Sequence, residues 1–270
     1  MKSILLLIRP DNHQEERLQC ALDLARAFDG HISCVQVTPF DHFIGGDPFG
    51  GMHGCAELMA KLRTEEKVER ERVEAHLARE GASWDWLHFD GNAVQTVLSQ
   101  SRLADVIVLS QAIRGKTEGI RPLPIAAEVA IHARAPVMAV PAIFKGLDAS
   151  GTAMVAWNGS FEAAQALRLA LPMLRGAGKV CLVEVTDDMH DFPATEAASY
   201  LSRHGIAAEL HQWRREGRST ADVLLDAAAQ LRAGYVVMGA YGHSRVRETV
   251  VGGVTRDLIS GSAIPLLLAH

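Results

Sequence analysis

The sequence has few aromatic residues and no long apolar run. Aromatic side chains make up 6% of the 270 residues, against 48% hydrophobic and 22% charged residues. This is an ordinary globular composition, so it excludes a disordered or collagen-like chain. The apolar run Ile4–Ile8 is followed at once by Arg9 and Pro10, and it is too short for a signal-peptide core or a membrane span. These absences predict a cytoplasmic protein without a membrane partner.

An excess of basic residues is also missing. The chain has 27 Lys and Arg against 32 Asp and Glu, which gives a net charge of −5. A protein that follows the nucleic-acid backbone needs a basic face, so we expect no nucleic-acid partner. No C-x-x-C pair occurs, and most of the cysteines lie in apolar segments, which favours buried reduced thiols over a redox or zinc role. The four cysteines are Cys20, Cys34, Cys55 and Cys181.

The two halves of the chain repeat each other. A shift of 129 residues places Ala104–Leu109 on Ala233–Met238. Upstream, the shift that aligns matching apolar segments is 145 to 148, so the first copy carries about twenty extra residues around the glycine-rich segment 41–55. Internal repeats of this kind indicate duplicated structural units. We therefore predict two tandem domains, residues 1–148 and 149–270.

Each copy alternates strand and helix patterns. Ala153–Trp157 is short and fully apolar, which is typical of a strand covered on both faces. Ser160 and Ser219 are candidate N-caps for the helices that follow them. Five strands alternating with helices predict a parallel sheet with right-handed crossovers and helices on both faces. The expected fold class is α/β, with two tandem five-stranded parallel-sheet domains.

Glycines cluster after the fourth strand of the second copy. Ligands of open parallel sheets bind beyond the carboxyl ends of the strands, which is where this segment lies. Gly239 and Gly242 would allow positive φ angles and let the backbone approach a ligand closely. Gly252 and Gly253 precede a helix whose first amides are unpaired, which predicts an anion site with the Thr255 hydroxyl as a further donor.

At these glycines the sequence resembles the universal stress protein family in its tandem form. The family signature is glycine, two residues, glycine, nine residues, then glycine followed by serine or threonine, and the spacing of Gly239, Gly242 and Gly252 fits it. The resemblance implies a five-stranded domain related to the adenine-nucleotide α-hydrolases, in which ATP lies across the ends of strands one and four. The residues that it implies for nucleotide binding, all in the C-terminal domain, are Asn158, Val185, Met238, Gly239, Gly242, His243, Gly252, Gly253, Val254 and Thr255.

Two positions of the second copy depart from the family pattern. Gly253 replaces the serine or threonine, which removes a hydroxyl but keeps the amide. Asn158 stands where ATP-binding members place an aspartate, so it keeps an acceptor and adds a donor. The first copy has lost every glycine of the signature, and the residues in their places are Ser110, Ile113, Leu123 and Pro124. We therefore expect ATP binding in the C-terminal domain alone.

Two other groups of residues could carry chemistry. A zinc site could form in the 41–55 insertion, although the irregular ligand spacing favours a flexible lid; its ligands would be His42, His53 and Cys55, with Asp41 or Asp47. Arg245 and Arg247 could reach phosphates or lie exposed on the surface. No P-loop, nucleophile elbow or zinc-protease motif occurs, so the sequence indicates at most slow ATP hydrolysis.

The expected function is that of a stress-response regulatory protein, which binds an adenine nucleotide and acts on an unidentified protein partner. The alternative is a nucleotide-free scaffold or dimerisation protein of the same family. An α-hydrolase-type enzyme is disfavoured because Asn158–Phe161 lacks the loop of that group. The apolar last strands, Val137–Val140 and Leu266–Ala269, would pair the two copies within the chain and would also allow a homodimer.

Overall fold

The computed structural model of the chain describes residues 1–39, 52–111, 124–186, 194–242 and 253–270. The first half contains β1 (Ser3–Ile8), α1 (Gln14–Phe28), β2 (His31–Thr38), α2 (Met52–Glu80), β3 (Ser83–Asp90), α3 (Ala93–Gln100), a 3₁₀ turn (Ser101–Leu103), β4 (Val106–Ser110), α4 (Ile125–His132) and β5 (Val137–Val140). The second half contains β6 (Thr152–Trp157), α5 (Phe161–Gly176), β7 (Lys179–Val185), α6 (Ala194–Arg203), β8 (Glu209–Trp213), α7 (Thr220–Gln230), β9 (Ala233–Gly239), α8 (Gly253–Gly261) and β10 (Leu266–Ala269).

The ten strands form a single sheet. Their order is β3-β2-β1-β4-β5-β10-β9-β6-β7-β8, so each half contributes five consecutive strands. All pairings within a half are parallel, and the two halves meet through the antiparallel pair β5–β10, in which Met138 lies opposite Leu267. The predicted α/β fold and the pairing of the last strands within the chain are both confirmed.

The apolar strands are buried because helices cover both faces of the sheet. Alternate residues of each central strand point to opposite faces, so Leu6 and Leu7 of β1 belong to two different cores. Each core runs through both halves: Met138 and Leu267 pack in one, and Ala139 and Leu268 pack in the other. The apolar burial therefore continues across the junction.

Local signals set the ends of several helices. The Ser160 hydroxyl accepts a hydrogen bond from the Ala163 amide, and the Ser219 hydroxyl accepts one from the Asp222 amide, each at 3.1 Å. Both predicted N-caps are therefore confirmed. The third strand of the second copy begins at Glu209. The Ile206 amide closes α6 by donating to the Leu201 carbonyl, so that residue cannot join the sheet.

Three cysteines of the described residues are free and buried, as expected: Cys20, Cys34 and Cys181. Burial raises the pKa of the Cys34 thiol to about 12, which leaves it uncharged and unreactive at neutral pH. Among the helices that the structure describes, none combines the length and the apolar character needed to cross a membrane.

Candidate functional site

A cavity of about 410 Å³ opens at the carboxyl ends of β6 and β9, at the point where the strand order of the second half reverses. This volume lies in the range of small-molecule pockets. Every predicted site residue that the structure describes lines the cavity. These residues are Asn158, Val185, Met238, Gly239, Gly242, Gly253, Val254 and Thr255. The other two, His243 and Gly252, lie outside the described residues.

The two glycines at the end of β9 lie close to α5. A Cβ atom on Gly239 would lie 2.6 Å from the Ala163 nitrogen and 2.7 Å from the Glu162 carbonyl carbon. A Cβ atom on Gly242 would lie 2.7 Å from a carboxylate oxygen of Glu162. The positive φ angle that these glycines would allow occurs at Tyr241 instead, at 56°. At Gly239 the missing side chain serves the close approach of the helix.

Thr255 ties the turn after β9 to helix α8. Its hydroxyl oxygen accepts a hydrogen bond of 3.3 Å from the Tyr241 amide, and Thr255 itself is buried. The hydroxyl hydrogen remains to be donated, so the predicted role as a donor is compatible with this contact. The Tyr241 ring packs in the core, and burial raises the pKa of its hydroxyl to about 12.

Asn158 uses its acceptor locally. Its side-chain oxygen accepts a 3.1 Å hydrogen bond from the Ser160 amide, which fixes the turn between β6 and α5. Asn158 also lines the cavity, and its side-chain NH₂ group carries two donors. A ligand at this wall would therefore meet hydrogen-bond donors where an aspartate would offer acceptors.

The sequence analysis missed several lining residues, among them Glu162, Thr220 and Leu224. Thr220 and Leu224 lie one turn apart on α7 and form a side wall, which only the packing of α7 over β7 and β9 places there. Glu162 follows the Ser160 N-cap, and acidic residues are common in the first turn of a helix for electrostatic reasons. The sequence offered no signal that its carboxylate lies beneath Gly242.

Gly253 differs from the glycines of the turn. It is the first residue of α8, it is exposed, and a Cβ atom built on it would meet none of the described residues within 4 Å. A serine would therefore fit here without displacing a neighbour. The lost hydroxyl is a chemical difference from the family pattern that the local packing does not impose.

The corresponding place in the first half is smaller and is filled by an arginine. A cavity of about 190 Å³ lies between the ends of β1 and β4, and Arg17 lines it with only 2% of its surface exposed. The guanidinium donates to the Ser110 hydroxyl at 2.6 Å and to the Gln14 side-chain oxygen at 2.7 Å, and it pairs with Asp11 at 3.0 Å. Burial lowers the pKa of Arg17, and Asp11 opposes that shift.

Arg17 therefore occupies part of the space that the second half leaves open. The residues that replace the signature glycines include Ile113, Leu123 and Pro124. Pro124 does stand immediately before α4. Ile113 and Leu123 lie outside the described residues, so the filling that the structure describes comes from Arg17 and Ser110.

The residues that could hold a metal lie elsewhere. The proposed zinc ligands of the 41–55 insertion are outside the described backbone or side chains, and so are Arg245 and Arg247. Among the described residues, the ligand atoms of Cys181, Glu209 and His211 lie within 4.8 Å of one another on β7 and β8. The Lys179 ammonium already pairs with the Glu209 carboxylate there, at 2.8 Å. This cluster lies apart from the cavity.

Comparison with known proteins identifies the family of the second half of the chain. The family model described as the universal stress protein family matches residues 151–270. The C-terminal half is a universal stress protein domain. A search of the curated proteins found no match to the chain.

The whole chain has the fold of proteins of known structure. A universal stress protein from Archaeoglobus fulgidus is 16% identical, with a TM-score of 0.73 over 98% of this chain and 97% of its own. A functionally unknown protein from Pseudomonas aeruginosa is 15% identical, with a TM-score of 0.57 over 100% of this chain and 92% of its own. The N-terminal half thus has the same fold as the C-terminal universal stress protein domain.

Single-domain proteins match over less of the chain. A universal stress protein family protein from Arabidopsis thaliana, solved with AMP bound, is 15% identical, with a TM-score of 0.34 over 44% of this chain and 90% of its own.

Proposed function

We propose that the universal stress protein domain binds an adenine nucleotide in the cavity between β6 and β9. The family resemblance implies ATP as that nucleotide, bound in the C-terminal half alone. The observation that carries this proposal is the convergence of Asn158, Val185 and the residues around Gly239, Gly242 and Gly253 on one cavity of ligand size. Binding would order the turn after β9 and alter the surface offered to a protein partner in the cytoplasm.

The chemistry of the lining supports this assignment. The first amides of α8, at Gly253 and Val254, belong to a helix N-terminus, which attracts anions. Apolar walls from Val185, Met238 and Leu224 suit the faces of a flat base. The side-chain amide of Asn158 would donate to a ring nitrogen of the base, because its oxygen is held by the Ser160 amide.

We further propose that the chain divides into residues 1–148 and 149–270, with the first unit as a structural partner of the second. The buried, fully engaged Arg17 supports an N-terminal unit that binds no nucleotide. Because β5 and β10 already pair within the chain, a homodimer would need another surface, such as the sheet edges β3 or β8.

Titration calorimetry with AMP and ATP tests the proposal. One ligand per chain is expected. A Gly253→Trp variant should lose binding, because Gly253 lines the cavity and the added ring would obstruct it. Gly176→Trp is the matched control: Gly176 is also free of neighbours within 4 Å and lies at the far end of α5. Its affinity should equal that of the unchanged protein.

Two results would contradict the proposal. The first is an absence of heat with either nucleotide at millimolar concentration, which would favour the nucleotide-free scaffold. The second is equal binding by the Gly253→Trp variant, which would place the nucleotide elsewhere in the chain.

A further inference from the structure

One carboxylate lies inside the proposed nucleotide cavity. Glu162, the second residue of α5, lines the cavity directly beneath the turn after β9. One of its carboxylate oxygens would lie 2.7 Å from a Cβ atom on Gly242, and its own Cβ lies 2.9 Å from the Cβ position of Gly239. The side chain is therefore held at two of the glycines that the family resemblance implies for nucleotide binding.

This carboxylate has unused hydrogen-bonding capacity. Its Oε2 atom is inaccessible to solvent and has no hydrogen-bond partner among the described residues. A buried acceptor without a donor is costly, so a ligand that brings a donor to this point gains from it.

The described lining of the cavity offers no cation to pair with the Glu162 carboxylate. It contains the carboxylate of Glu162 and no lysine, arginine or histidine, and Arg256 on α8 is exposed and does not line the cavity. Phosphate oxygens placed at the same turn would repel the carboxylate at short range, whereas hydroxyl groups would donate to it.

The two halves differ in charge at this position. The shift of 145 that aligns Ala21 with Ala166 also places Arg17 on Glu162. Arg17 is bonded to Ser110, the residue at the position of Gly239, just as Glu162 lies against Gly239 itself. The arginine is held by partners of its own half, while the Oε2 atom of Glu162 has no hydrogen-bond partner among the described residues.

We infer that Glu162 is a specificity-determining residue that selects for hydroxyl groups and against phosphate at the Gly239–Gly242 turn. This inference rests on the proposed function and narrows its ligand: without a divalent cation, affinity falls in the order adenosine, AMP, ATP. Mg²⁺ weakens this discrimination, because it neutralises part of the phosphate charge.

The test compares the unchanged protein with Glu162→Gln, which keeps the shape of the side chain and removes its charge. Calorimetric titrations with adenosine, AMP and ATP are run in EDTA and again with Mg²⁺. In EDTA the variant should bind ATP at least about tenfold more tightly than the unchanged protein does, a difference of about 1.4 kcal/mol. Its affinity for adenosine should change less, by about threefold or less, since a glutamine oxygen still accepts a hydroxyl hydrogen.

Glu196→Gln is the matched control, because Glu196 is an exposed residue in the first turn of α6. It should leave all three affinities unchanged. Equal ATP affinity in the Glu162→Gln variant, or ATP binding at least as tight as adenosine in the unchanged protein in EDTA, would overturn the inference. Failure of every ligand to bind either protein would instead overturn the proposed function.

Discussion

Replacing Gly239 by alanine should destabilise the protein, whereas the same change at Gly253 should not. The Cβ atom added at Gly239 would lie 2.6 Å and 2.7 Å from two backbone atoms of α5, at Ala163 and Glu162. Backbone atoms cannot rotate away, so the strand end or the helix must shift. Overpacking of this kind costs about 1–3 kcal/mol.

The matched change at Gly253 meets no such obstacle. Its Cβ atom would have no described residue within 4 Å, and its φ angle is not in the left-handed region. Alanine there should stabilise by about 0.5 kcal/mol, because it restricts the unfolded chain and favours the helix. The two variants should therefore differ by about 2 kcal/mol in the free energy of unfolding.

Differential scanning calorimetry would measure this difference. At about 2–4 °C per kcal/mol, the Gly239→Ala variant should melt about 4–8 °C below Gly253→Ala. Circular dichroism at 20 °C would verify that both variants are folded. Equal melting temperatures would refute the assignment of Gly239 to helix packing. Its small size would then serve only the approach of a ligand.

Two further predictions concern buried polar groups. Arg17→Met should lower the free energy of unfolding by about 2–4 kcal/mol, because it leaves the acceptors around a buried guanidinium without a donor. Arg26→Met, at an exposed ion pair, is the control, and in urea unfolding it should lose no more than about 1 kcal/mol. An equal loss in the two variants would contradict the buried role of Arg17. The pKa of Tyr241 is raised to about 12 in the folded protein from about 10 unfolded, so its contribution to stability is complete below pH 10 and is lost as the pH rises toward 12. Tyr241→Phe should remove this part of the loss of stability at alkaline pH, which amounts to about 2 kcal/mol. Urea unfolding at steps of about one pH unit from about pH 9 to pH 12 would show this as a weaker dependence of the free energy of unfolding on pH.

The fold was largely predictable because its signals are local and repeated. Apolar runs such as Thr152–Trp157 have the composition of doubly covered strands, and Ser160 and Ser219 mark helix starts through a single side-chain contact each. The duplication added a second copy of each signal. The apolar character of β5 and β10 also predicted their pairing, since an exposed apolar edge is unfavourable.

The composition of the cavity was predictable only in part. The glycine spacing placed one wall correctly, but the physical role of Gly239 depends on how closely α5 crosses the end of β9. Glu162 and Arg17 were missed because a charged residue in a first helical turn is usually solvated. Their burial depends on contacts with residues about eighty to ninety positions away, Gly242 and Ser110, which no local pattern encodes.

The antiparallel ladder between β5 and β10 makes the N-terminal unit a permanently tethered companion of its neighbour. Covalent linkage keeps the local concentration of that companion in the millimolar range, whatever the abundance of the protein. The N-terminal unit thus shields the backbone edge of β10 from pairing with other chains. Deleting the N-terminal unit would leave the edge of β10 unpaired. Pairing of that edge with another chain would then depend on the protein concentration.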